Sequence, residues 1–144
     1  MTSDADLNRS AMAFALAQCR TVAVVGLSPK AHRDSYAVTQ YMQRQGWRIV
    51  PINPVAAASG TLILGEKVYA NLTEAAGHVP IELVNVFRNS ADVPPVVDEA
   101  IAIGAKAIWL QMGIAHEEAA TKARAAGLHV VQNKCLMVEH ARAK

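Results

Sequence analysis

The chain has 144 residues, 52% hydrophobic and 18% charged, a globular composition long enough to bury a core without disulfides or a structural metal. A formal net charge of +2 is too small for a nucleic-acid arm or a polybasic membrane patch, and no apolar run approaches the length of a membrane span. Two cysteines make no disulfide framework, and the polar, acidic start lacks the basic and apolar regions of a secretory signal, so a reduced, cytoplasmic protein of one domain (1–144) is expected, with residues 1–7 disordered.

Residues 8–19 are Ala-rich, with Met12, Leu16 and Cys19 at helical spacing, and predict a helix packed over the sheet. Residues 21–25 (TVAVV) form a fully apolar, β-branched strand. A helix follows to about Gln45, capped by Asp34 or Ser35 and ended by Gly46. Residues 47–52 form a second strand, stopped by Asn53-Pro54. Residues 55–66 read as irregular, 68–70 (VYA) as strand-like, and TEAAG as one helical turn capped by Thr73. Residues 82–87 predict a third strand. Residues 92–103 predict a helix with Asp92 as cap and prolines in its first turns. A strand at 106–110, a helix at 115–126, a strand at 128–132 and a helix at 135–143 complete the chain.

Strand and helix alternate almost throughout, and strands of continuous Val, Ile and Leu require burial on both faces. The expected fold is therefore α/β: a doubly wound, Rossmann-like, five-stranded parallel sheet in the order 3-2-1-4-5. Ligands of such sheets bind beyond the carboxyl ends of the strands, where the strand order reverses. In this chain those ends are 26–29, 53–54, 87–90, 111–113 and 133–135.

The first of them, Gly26-Leu27-Ser28-Pro29, has the features of a phosphate loop. Gly26 removes a side chain at the turn, and Ser28 brings a hydroxyl and an N–H. Ser35 lies near a helix start, whose free N–H groups and positive dipole end favour an anion. Lys30, His32 and Arg33 add donors: Arg33 as a bidentate partner, Lys30 as a mobile point charge. The G-x-G-x-x-G fingerprint fails, because Ser28 stands where its second glycine would be. A nicotinamide cofactor also wants an acid after the second strand, where this chain has Ile52-Asn53-Pro54. Another phosphate-bearing nucleotide is the better candidate.

The pattern Gly26-Leu27-Ser28 with Ser35-Tyr36, then PINP at 51–54, VFRNSADVPPVVDEAIAIGAKAIWLQMG at 86–113 and CLMVEH at 135–140, resembles the small single-domain CoA-binding proteins. These are similar to the nucleotide-binding domain of the succinyl-CoA synthetase alpha subunit. The resemblance runs from about residue 15 to 140. It implies that coenzyme A, or a short acyl-CoA, is the ligand. The loop of Gly26, Leu27, Ser28, Pro29 and Ser35 would then sit against the CoA phosphates, and Asn53 and Pro54 beside the adenosine end. It further implies Val86, Phe87 and Arg88 bordering the nucleotide and pantetheine, and Gln111 and Gly113 flanking the pantetheine path. Where an Asp-Arg pair would be expected, this chain has Asn133-Lys134.

No catalytic or metal-binding residue is assigned. The five histidines (32, 78, 116, 129, 140) show no H-x-x-x-H spacing. His116 opens a helix near the fourth strand end and reads either as an acid or base or as a rim hydrogen-bonder. Cys135, at the start of the last helix, reads either as an inert buried thiol or as one able to form a mixed disulfide with CoA. Trp47 and Trp109 read as core. The expected role is a CoA-binding module without intrinsic catalysis, with a homodimer as one form it can take. The rival readings are an NAD(P)-dependent reductase, an acyl-CoA-handling enzyme that needs a partner subunit, and an interaction protein with an empty pocket.

Overall fold

A helix, α1 (Asp4–Gln18), opens the chain in the computed structural model, which describes residues 2–144. It begins inside the stretch expected to lack order. Ser3 caps it, its Oγ accepting from the Asp6 N–H at 3.1 Å, and Asp4 and Asp6 complement the dipole. The alternation then follows as β1 (Thr21–Val25), α2 (Asp34–Arg44), β2 (Arg48–Ile52), α3 (Pro54–Ser59), α4 (Leu72–Ala76) and β3 (Leu83–Val86). After a 3-10 turn at Ser90–Asp92 come α5 (Val93–Ala102), β4 (Ala107–Leu110), α6 (Glu117–Ala125), β5 (His129–Val131) and α7 (Leu136–Ala143). No helix among the described residues is long and apolar enough to cross a membrane.

All four strand pairings are parallel. Val22 and Val24 of β1, Leu83 of β3 and Trp109 of β4 face one core with α1, α2 and α7. Ala23, Val84, Val86, Ile108 and Leu110 face the other, with α4, α5 and α6. This is the period-2 alternation of a strand buried on both sides.

The strand order is β2-β1-β3-β4-β5, not the expected 3-2-1-4-5. Physical placement explains the difference. β3 is buried at every residue, so it needs neighbours on both edges, whereas β2 starts at exposed Arg48 and tolerates an edge. The outer side of β2 is occupied by the segment at 68–70. The Tyr69 N–H donates to Pro51 O and the Asn53 N–H to Tyr69 O, both at 3.0 Å, in one parallel bridge with Ile52. That bridge takes the place assigned to the third strand, and the chain returns through α4 to the vacant side of β1. The order therefore reverses between β1 and β3, and a crevice opens there.

Candidate functional site

Gly26 stands at this reversal. Its N–H donates to Ile52 O at 3.1 Å, and the next strand over returns the contact, Phe87 N–H donating to Val25 O at 2.8 Å. Gly26 has φ +85°, and a Cβ there would lie 2.4 Å from Phe87 O. Only glycine fits, for both conformation and space. Leu27 then plunges into the core and is fully buried. Its carbonyl accepts from Asn53 Nδ2 at 2.9 Å. The loop braces itself: Ser28 N–H donates to Ser35 Oγ at 3.0 Å and Lys30 N–H to Ser28 Oγ at 3.1 Å. The Ser28 N–H is thus engaged within the loop, but both hydroxyl hydrogens remain free to donate. Arg33 caps α2 through its backbone with no side-chain bond, so neither Asp34 nor Ser35 is the cap. The guanidinium of Arg33 and the Asp34 and Ser35 N–H groups stay available, while the Tyr36 N–H donates to Arg33 O at 3.1 Å.

Asn53 does more than end a strand. Its Oδ1 accepts from the N–H groups of Val55 and Ala56, both at 3.0 Å, with Pro54 at the first position of α3. The stretch expected to be irregular thus begins with a helix, and Asn-Pro is its signal: a capping side chain followed by a residue needing no N–H. Asn71, not Thr73, caps α4.

Three adjoining cavities run across the carboxyl ends. One of about 510 Å³ lies over Gly26, Ser28, Arg33, Ser35, Arg88 and Gly113. A second, of about 570 Å³, shares Gly26, Arg33 and Arg88 and extends to Asn53, Pro54 and Asn71. A third, of about 240 Å³, runs the other way to Gln111, Cys135 and Met137. Phe87 borders all three. Arg33, at the start of α2, and Arg88, after β3, therefore both border the middle of one continuous groove. Asp92 stands 3.7 Å from Arg88, both half-exposed, a pairing weak enough for an anion to displace.

Ten of the expected residues line this groove: Gly26, Ser28, Arg33, Ser35, Asn53, Pro54, Phe87, Arg88, Gln111 and Gly113. Leu27 and Val86 are buried in the two cores instead. Pro29 and Lys30 are exposed and border none of the three cavities. Ser90, from the expected strand end at 87–90, joins the groove, and Ile114 and Asn71 do so unanticipated. Ser90 is held by its Oγ accepting from the Ala115 N–H at 3.1 Å, and only its place just after a strand end pointed to it. His116 is removed from the groove. Its Nδ1 accepts from the Ala119 N–H at 3.1 Å as the cap of α6. Asn133, at φ +57°, accepts from the Gly113 N–H at 2.7 Å through Oδ1. It thereby fixes the rim where an acid was expected.

Residues 20–141 match the family described as "CoA binding domain". The chain belongs to that family. As a CoA-binding-domain protein it is 37% identical over 126 residues to the uncharacterized protein YneT of Bacillus subtilis (strain 168), covering 88% of this chain and 89% of that one. A solved Thermus thermophilus structure, cell-free ID.343, superposes with a TM-score of 0.85 at 33% identity, over 95% of this chain and 98% of the other. A hypothetical protein from Pyrococcus horikoshii OT3 does so with a TM-score of 0.81 at 34% identity, over 92% and 89%. The family's match spans every strand and the whole groove.

Proposed function

We propose that this protein binds coenzyme A, or a short acyl-CoA, along the groove and acts as a carrier or sensor in the cytoplasm without a reaction of its own. The observation that carries the reading is that Arg33, at the open start of α2, and Arg88, after β3, line the same cleft as Gly26. Two guanidinium forks and a helix amino end suit a diphosphate. The adenosine end lies by Asn53, Pro54 and Asn71, and the pantetheine arm passes Phe87 toward Gln111 and Gly113.

The residues after β2 disfavour dinucleotide binding. Asn53 replaces the ribose-binding acid, and its carboxamide is already spent on Leu27 O and the α3 amides. Glu99 borders the same cavity, but its Oε2 accepts from Thr73 N–H and Oγ1, both at 2.9 Å.

Thermal denaturation in the presence of CoA, acetyl-CoA, dephospho-CoA, NAD and ATP tests the reading. A ligand at a hundred times its Kd stabilises the native state by about 2.7 kcal/mol. CoA and acetyl-CoA are expected to raise the midpoint by several degrees, dephospho-CoA by less, and NAD and ATP not at all. A rise with NAD alone, or none with CoA, overturns it.

A further inference from the structure

The third cavity joins the phosphate cleft through Asp34, Phe87 and Ile114 and ends at Cys135 and Met137. The path of the chain after β5 sets where Cys135 stands. Lys134 N–H donates to Leu110 O at 3.3 Å, Trp109 Nε1 to Lys134 O at 2.8 Å, and Leu136 N–H to Gln111 Oε1 at 2.9 Å. These bonds draw the segment back over the end of β4. In the order β1-β3-β4 that is two strand positions from Gly26, a lateral distance of about 10 Å at the usual interstrand spacing. An extended pantetheine arm is longer than this, so a thiol whose phosphates rest at Gly26 reaches Cys135.

Gln111 supplies an independent observation. It is 4% exposed. The Leu136 N–H can only meet an oxygen, which fixes the orientation of the amide, and Nε2 then has no acceptor among the described residues. Nε2 is not among the side-chain atoms sealed from solvent without a partner, and Gln111 borders the cavity that holds Cys135, so this donor of an otherwise buried side chain opens on that cavity. An amide carbonyl would satisfy it, and the pantetheine arm carries amide carbonyls.

We propose that this cavity is a covalent capture site, in which Cys135 exchanges with a CoA disulfide. The proposal rests on the CoA reading of the groove. Cys135 Sγ loses its proton to solvent and attacks one sulfur of the disulfide. The Sγ–S bond forms as the S–S bond breaks, and the second CoA leaves as a thiolate that takes up a proton. One disulfide is consumed and one made, so no further oxidant is needed, and a free thiol reverses the step. Cys19 has no such access: it is fully buried, and burial pushes its thiol up to about 11.

Reduced protein, freed of reductant, is mixed with CoA disulfide or with glutathione disulfide and followed by intact-mass spectrometry and peptide mapping. The expected result is one CoA adduct per chain on Cys135. It should form at least about tenfold faster than the glutathione adduct, because docking raises the local concentration. It should be reversed by dithiothreitol and absent in Cys135→Ser. Gln111→Glu keeps the acceptor for Leu136 and removes the donor, and should narrow the preference for CoA. Equal rates for the two disulfides, no adduct, or an adduct on Cys19 overturns the proposal. Melting with CoA under dithiothreitol is read in parallel. A shift without selective adduct formation overturns the capture alone, whereas no shift removes the CoA reading and the capture with it.

Discussion

The two ends of the sheet are built from the same strands and treat hydrogen bonding in opposite ways. At the amino ends, Glu82 Oε1 accepts from the N–H groups of Arg20 and Thr21 at 2.9 and 3.0 Å, and Oε2 lies 3.5 Å from Lys106 Nζ. The backbone continues the closure, with Lys106 N–H donating to Glu82 O and His129 N–H to Lys106 O. At the carboxyl ends, Gln111 Nε2, the Asp34 and Ser35 amides that open α2 and the guanidinium of Arg33 have no protein partner among the described residues, and Arg88 has only a loose one. An end that satisfies itself holds the fold together. An end that leaves donors open, in a concave surface at the strand reversal, is organised for a ligand rich in acceptors.

The contrast is lost first at Gly26. In Gly26→Ala the new Cβ meets Phe87 O at 2.4 Å, on a backbone at φ +85°. The atom it meets is backbone, not a flexible side chain, so β1 and β3 must part. The expected cost is about 3 kcal/mol in urea unfolding, with loss of the CoA-induced melting shift. Next come the cations. Arg33→Ala and Arg88→Ala each remove a charge-assisted contact of about 1.5–3 kcal/mol, so CoA affinity by calorimetry should fall roughly ten- to hundredfold. Both side chains are exposed, and the midpoint without ligand should hardly move. Unchanged affinity in both variants would take the phosphates away from this cleft.

Asn53 tests a junction whose meaning the sequence only half disclosed. The Asn-Pro pair stood out as a strand stop, yet its capping of α3 and its bond to Leu27 O depend on two segments meeting in space. The same holds elsewhere. Gly26 could be read from its neighbours, because an apolar run ending in glycine before a helix forces a turn. The burial of Leu27 and Val86 could not, since a one-residue difference in alternation decides which face of the sheet a side chain meets. The strand order could not be read either, because local pattern identifies a strand but not its partner, and three residues at 68–70 suffice to occupy the edge of β2. Asn53→Ala removes the cap and frees the Leu27 carbonyl. A loss of about 1–2 kcal/mol is expected in denaturant unfolding, and no change in stability would mean that α3 does not depend on this side chain.

The smallest effect belongs to the closed end and runs through pH. The Arg20 N–H, followed by the Thr21 N–H and the Lys106 ammonium, holds the Glu82 carboxyl below the ordinary glutamate range, with partial burial opposing them. As pH falls, the unfolded chain therefore takes up the proton before the native one does. The stability Glu82 contributes is full above the ordinary glutamate value and is lost as pH drops through it toward the lower native value. Glu82→Gln keeps an oxygen for the two amides and removes the charge. It should cost about 1 kcal/mol at neutral pH and flatten the acid side of the stability curve by the same amount, while CoA affinity stays at the wild-type value. A weaker CoA complex in this variant would mean that the two ends of the sheet are coupled, against the division of labour their hydrogen bonds describe.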